Sequence, residues 1–131
     1  MLSAVAAVAT VAVTMVALDA VWLSGRAALN YRLFASIQGS PLEIQWLPAA
    51  LCYAVMVAGV WFFAVKPTET PVSAALSGAA LGAVVYGTYD LANWATLKRY
   101  PSSYALTDWL WGTVLFSAAA TAGKAVSTVV Y

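Results

Sequence analysis

The chain has 131 residues, of which 63% are hydrophobic and 8% are charged. Soluble domains carry about 25% charged residues, so this composition leaves too little polar surface for a water-soluble globule and indicates an integral membrane protein. The net charge is +1 without a basic run, which argues against nucleic acid as a partner. Histidine is absent, which removes the commonest acid–base group and the commonest transition-metal ligand.

The first hydrophobic run covers about residues 2–23 and is long enough to cross roughly 30 Å of hydrocarbon as a helix. A cleaved signal peptide is the alternative, but no basic residue precedes the apolar run, so we expect a retained span. Residues 25–39 follow, with apolar residues at four-residue spacing. This segment predicts a short, separate helix in the membrane interface.

Three further spans are predicted, at about residues 44–65, 72–97 and 106–129. The predicted fold class is therefore all-α, a polytopic membrane protein. We expect one membrane domain, residues 1–131, in which four transmembrane helices form a compact bundle.

Two predicted spans carry helix-start signals. Ser40, Pro41 and Glu43 predict an N-cap, a first helical residue and the acid of a capping box before the second span. Thr70 and Pro71 predict the same kind of start for the third span.

The two halves of the chain are weakly alike. Each odd span ends in an Asp followed by a Trp three or four residues later, and each even span begins with an acid and then a Trp. This pattern predicts two pseudo-repeated helical hairpins around an axis along the membrane normal. Coincidence is the alternative, because Trp, Tyr and charged residues concentrate at membrane interfaces in any case.

Four of the five acidic residues fall at one end of the predicted bundle. Asp19 and Asp90 lie late in odd spans, whereas Glu43 and Asp108 open even spans. Because consecutive spans alternate in direction, these positions share one face of the membrane. A carboxylate inside hydrocarbon is costly and is kept for a reason, so this end is the predicted functional surface.

The basic residues predict the orientation. Four lie at the acidic end and two at the opposite end, so the positive-inside rule places the acidic end in the cytoplasm and both termini outside a bacterial inner membrane. The same four side chains are placed to form a rim for anionic headgroups, with topology alone as the alternative explanation. The rim residues are Arg26, Arg32, Lys98 and Arg99, and the two opposite residues are Lys66 and Lys124.

One stripe of the third span combines small and polar residues. At about 100° per residue the stripe contains Gly78, Gly82, Tyr86, Tyr89, Asn93 and Thr96, with Asp90 on its edge. The glycines form a G-x-x-x-G step that lets another helix approach closely. The candidate ligand-binding residues are Asp19, Tyr86, Tyr89, Asp90, Asn93 and Asp108; structural hydrogen bonding between helices, or stabilisation at a helix start for Asp108, is the alternative.

The candidate side chains do not point to a metal or a cofactor. The acids and Asn93 supply only oxygen, which suits Mg²⁺ or Ca²⁺, but no spacing matches a known metal loop. We therefore predict neither. No nucleophile–base pair is present, which disfavours an enzyme, and no continuous ion path crosses one subunit.

Three segments carry a resemblance to a known family. They are residues 82–98, which include Tyr89-Asp90 and Asn93, residues 18–23 and residues 107–112. These segments resemble the signature of a family of small bacterial predicted membrane proteins with no assigned activity. The resemblance implies a four-span inner-membrane protein. Neighbouring genes for lipid-modifying methyltransferases and photolyases in that family suggest a link to membrane-lipid maintenance or stress.

Together these patterns predict a binding or accessory protein with a polar pocket in the cytoplasmic leaflet. The pocket would hold a lipid headgroup or a small polar ligand. The alternatives are a structural subunit of a larger membrane complex, an oligomeric channel or carrier, and a membrane-embedded lipid-modifying enzyme with an Asp as general base. The expected partners are membrane lipids, with a second copy of the chain or a membrane-complex subunit as protein partner.

Overall fold

The computed structural model describes residues 1–129, which form four helices and contain no strand. The predicted all-α bundle is confirmed. A π-helical turn extends the second helix at its C-terminal end. The elements are α1 (Leu2–Gln38), α2 (Trp46–Val60) with the π-helical turn (Trp61–Val65), α3 (Pro71–Thr96) and α4 (Ser102–Val129).

Three elements, α1, α3 and α2 with its π-helical turn, are long and apolar enough to cross a membrane. The fourth, α4, has 28 residues, which corresponds to about 42 Å, but it contains more Ser, Thr and Gly. It lies between α1 and α3 and buries more residues than the other helices in the described chain. Because more of its surface contacts other helices, α4 needs less apolar surface than the outer helices.

The interfacial helix predicted for residues 25–39 is not separate from the first span. α1 continues without a break through Gly25 and reaches about 55 Å, nearly twice the hydrocarbon thickness. It ends where Gly39 takes the left-handed conformation, with φ 76°, and its N–H donates to the carbonyl of Ala35.

Contacts with the start of α4 explain this continuation of α1. The Tyr104 hydroxyl donates to Oδ1 of Asn30 at 3.0 Å, and the Phe34 ring packs edge-on against Tyr104 with ring centroids 5.9 Å apart. Each of these side chains needs α1 to remain helical beyond Gly25. Tertiary contacts therefore override the weak helix propensity of that glycine.

The helix start predicted at Ser40 and Pro41 is wrong, because residues 41–45 are not helical and α2 begins at Trp46. Pro48 gives the physical reason. In a helix that began at Pro41 it would lie in the second turn and remove a backbone hydrogen bond. With a start at Trp46 it lies in the first turn, where the N–H has no intrahelical partner.

The start of α3 follows the prediction. The Thr70 side chain accepts a hydrogen bond from the Ser73 N–H, and the Ser73 hydroxyl accepts one from the Thr70 N–H, both at 3.1 Å. Pro71 takes the first helical position. The capping box therefore uses a serine where glutamate or glutamine is more usual.

α3 and α4 approach each other most closely, at glycines. A Cβ added to Gly78 would lie 2.6 Å from the Phe116 carbonyl oxygen, and one added to Gly82 would lie 2.8 Å from the Phe116 Cβ. The Gly82 Cβ would also collide with the carbonyl oxygen of Gly112. These positions hold glycine because any side chain would separate the two helices.

The two predicted hairpins pack differently. α3 and α4 are in contact along most of their length, whereas α1 and α2 touch at few positions and α1 packs mainly on α4. The two pairs of helices therefore do not share one packing geometry. The internal repeat in the sequence stays a prediction.

Replacing Gly82 with Ala tests the close contact between α3 and α4. We expect a loss of about 1–3 kcal/mol in the free energy of unfolding, because the new methyl group meets backbone that cannot rotate away. Gly59→Ala is the matched control, since its Cβ would lie 3.8 Å from Leu81 Cδ2, an ordinary contact. Thermal unfolding in one detergent compares the two, and equal midpoints would contradict the proposed role of Gly82.

Candidate functional site

Carboxylates gather in the interior at the predicted end of the bundle. Asp19 is 7% exposed and Asp90 is 0% exposed, while Asp108 is partly buried near the start of α4. Glu43 differs, because it lies exposed in the segment before α2. The interior cluster therefore contains three of the four predicted acids.

Asp19 joins three helices through neutral donors. Its Oδ1 accepts a hydrogen bond from Trp111 Nε1 of α4 at 3.0 Å, and its Oδ2 accepts one from the Tyr53 hydroxyl of α2. Trp22 stacks on Trp111 with ring centroids 4.6 Å apart and planes 2° apart. Both oxygens thus have donors, which lowers the cost of keeping a carboxylate in apolar surroundings.

Arg26 packs on aromatic rings. Its guanidinium carbon lies 4.8 Å from the centre of the Trp22 ring and 5.7 Å from that of Tyr104. Cation–π contacts of this kind stabilise a partly desolvated guanidinium. The other members of the basic rim, Arg32, Lys98 and Arg99, are exposed at the same end of the bundle.

Asp90 has one hydrogen-bonded oxygen and one without a partner. Its Oδ1 accepts from the Tyr100 hydroxyl at 2.7 Å, whereas its Oδ2 is buried and has no hydrogen-bond partner. Tyr100 reaches back because the turn before α4 places Arg99 in the left-handed conformation, with φ 71°. Burial, together with the hydrogen bond to Asp90, raises the pKa of the Tyr100 phenol, so it remains a neutral donor.

The packed stripe of α3 lies closer to Asp90 than the sequence suggested. The stripe advances in steps of four, from the buried Gly78 and Gly82 through the partly buried Tyr86 to the buried Asp90. The Tyr86 ring lies directly against Gly112 of α4. Tyr89, which we expected on this stripe, is 51% exposed. Asn93 is half-buried and Thr96 is exposed.

Several residues that build the site were not predicted from the sequence. Tyr53 and Trp111 hold Asp19, Tyr100 holds Asp90, and Phe34 and Tyr104 pack around Tyr100 with ring centroids 5.4–6.3 Å apart. The sequence carried one signal for these contacts, because a Tyr or Trp in apolar surroundings needs a partner for its polar atom. Sequence alone does not say which acceptor each one meets.

Two apolar cavities lie along α1, and one of them reaches the acidic cluster. One groove of about 480 Å³ runs between α1 and α2, and Tyr53 forms part of its wall near the acidic end. A second, of about 410 Å³, continues along α1 toward its N-terminus and shares Val8, Ala12 and Trp61 with the first. In residues 1–129 no group of three or more Cys, Asp or Glu side chains is arranged to hold a metal ion.

The sequence profile of a protein family described as "Predicted membrane protein (DUF2177)" matches residues 4–125. The chain belongs to this family. The resemblance to a family of predicted membrane proteins is therefore confirmed, and the family description assigns no activity. No curated protein and no solved structure matches the chain.

Replacing Tyr53 with Phe tests the anchoring of Asp19. We expect the free energy of unfolding to fall by about 1–3 kcal/mol, because a nearly buried carboxylate oxygen loses its donor. Tyr31→Phe is the control, since that side chain is 48% exposed, and we expect a change within about 0.5 kcal/mol. Thermal unfolding in detergent measures both variants, and similar losses for the two would count against the anchor.

Proposed function

We propose that the protein binds a membrane phospholipid in the groove between α1 and α2 and acts as a lipid-binding accessory protein of the membrane. One observation supports this most directly. Tyr53 belongs to the apolar wall of the groove while its hydroxyl donates to Asp19, so an apolar channel and a polar cluster meet at one side chain.

The shape of the groove suits an acyl chain. Along α1 its wall extends from Ala4 to Val16, which corresponds to about 18 Å of helix. This exceeds half of a hydrocarbon core of roughly 30 Å. Small side chains such as Ala12 and Ala54 leave the space, and a volume of about 480 Å³ lies within the usual range of ligand sites.

The charges near the acidic end favour an anionic headgroup. Arg26 lies seven residues beyond Asp19 on α1, a rise of about 10 Å toward the membrane surface. Three further basic side chains are exposed at the same end. A phosphate above the groove would meet this positive potential, while the chain below it stays in apolar surroundings.

This proposal changes the role expected for the acidic cluster. The carboxylates were predicted to line a polar pocket, but Asp19 and Asp90 are buried and accept hydrogen bonds from Tyr and Trp donors. We therefore assign the acyl chain to the apolar groove and the headgroup to the basic rim. In this arrangement Asp19 fixes the position of Tyr53 instead of contacting the lipid.

Filling the groove tests the proposal. We expect the wild-type protein, released gently from its own membrane, to carry a discrete phospholipid mass in native mass spectrometry. Ala12→Leu should remove most of that mass, because the larger side chain enters the groove. Ala80→Leu is the matched control, since Ala80 is exposed on α3 and does not line the groove.

Two outcomes would contradict lipid binding in the groove. Equal lipid retention by Ala12→Leu and Ala80→Leu would mean that the bound lipid lies elsewhere on the surface. A wild-type protein that carries another polypeptide and no lipid would favour the structural-subunit alternative.

We also propose that the acidic end faces the cytoplasm of a bacterial inner membrane, with the N-terminus outside. The distribution of Lys and Arg supports this orientation. In a Cys52→Ala background, a Lys66→Cys variant should react with a membrane-impermeant maleimide in intact cells. Arg99→Cys should react only after the cells are permeabilised, and the opposite pattern would reverse the orientation.

A further inference from the structure

The register between α3 and α4 places two carboxyl groups opposite each other. Gly82 of α3 packs against Phe116 of α4, and the two helices are antiparallel neighbours. Asp90 lies eight residues after Gly82 on α3, and Asp108 lies eight residues before Phe116 on α4. At this register Asp108 lies level with Asp90 across the contact between the two helices.

The second observation is the unpartnered oxygen of Asp90. The residue is 0% exposed, and its Oδ2 lacks a hydrogen-bond donor even though Oδ1 receives one from Tyr100. An unsatisfied carboxylate oxygen in such surroundings carries a large desolvation cost. An O–H group supplied by the neighbouring Asp108 would satisfy it.

We propose that Asp90 and Asp108 form a proton-binding site. In this site Asp108 is protonated, and its O–H group donates a hydrogen bond to Oδ2 of Asp90. Two adjacent carboxylates in an apolar interior cannot both be ionised without strong repulsion, so the pair retains one proton. Asp90 is the acceptor because the Tyr100 hydroxyl already stabilises its ionised form. The site is separate from the lipid groove and does not depend on it.

The geometry favours a proton over a metal ion as the ligand. A Na⁺, Mg²⁺ or Ca²⁺ ion needs several oxygen ligands around it, whereas Oδ2 of Asp90 is inaccessible from outside. Release of the proton turns Asp108 into a carboxylate and leaves two negative charges across the contact between α3 and α4. Release of this proton would thus weaken that contact, and rebinding of the proton would restore it.

The titratable surroundings of the pair come from α1, α3, α4 and the turn between α3 and α4. Asp19 and Arg26 of α1 act on Asp108 from one side, with opposite signs. The titratable and charged groups that face the pair are Asp19, Arg26, Tyr86, Tyr89, Tyr100 and Tyr104.

Infrared spectroscopy of the full chain in lipid nanodiscs tests the site. At neutral pH we expect a carbonyl-stretching band from a protonated carboxylic acid, which shifts in D₂O. The band should be lost in Asp108→Asn and also in Asp90→Asn, because the proton is retained only when both carboxyl groups are present. Glu43→Gln and Glu69→Gln are matched controls at exposed acids and should leave the band unchanged.

If the Asp variants do not fold, the pH dependence of the wild-type protein tests the proposal. Raising the pH should remove the band with the release of one proton per chain. It should also lower the unfolding temperature, because the folded state then loses a proton that the unfolded chain does not hold at neutral pH. Absence of the band at neutral pH would overturn the proposal, as would a band that survives in both folded Asp variants.

Discussion

The contact between α3 and α4 at Gly78, Gly82 and Gly112 is the constraint on which the rest of the structure depends. Inside a membrane the helices gain little from excluding water, so close packing and hydrogen bonds must hold them together. The glycines allow that approach and fix its register. The same register places the Trp109 indole against Gly87, where its N–H donates to the Ala83 carbonyl at 2.8 Å. The position of the polar side chains at this end of the bundle thus depends on the glycine contact between α3 and α4.

The polar interior is closed because an apolar medium penalises every unsatisfied oxygen. Asp19 and one oxygen of Asp90 are satisfied by Tyr and Trp donors from other parts of the chain, without a basic partner. Neutral donors avoid the need to bury a second charge beside the first. In the proposed function, the basic rim at the surface recognises the phosphate, while Asp19 holds Tyr53 in position.

The opposite end of the bundle explains why a groove exists between α1 and α2. The π-helical turn buries Ala64 and Val65 against α3 and α4, and Lys124 donates to the Val65 carbonyl at 3.3 Å. π-Helical turns often occur at functional sites, because the extra residue changes the direction of a helix face. Here α2 is held chiefly at this turn, while most of its length is exposed. The weak contact with α1 leaves the apolar groove open toward lipid.

The sequence by itself determined the membrane class, the all-α bundle and the end at which the acids gather, because composition, hydrophobic length and alternating span direction are local properties. It also determined the N-cap at Thr70, whereas Pro48 moved the start of α2 away from Ser40. Only the tertiary structure decided that α1 continues past Gly25 and that Tyr53, Trp111 and Tyr100 hold the acids. Those partners lie on different helices or across a turn, and which donor meets which oxygen follows from helix register and rotation, which hydrophobic periodicity does not encode.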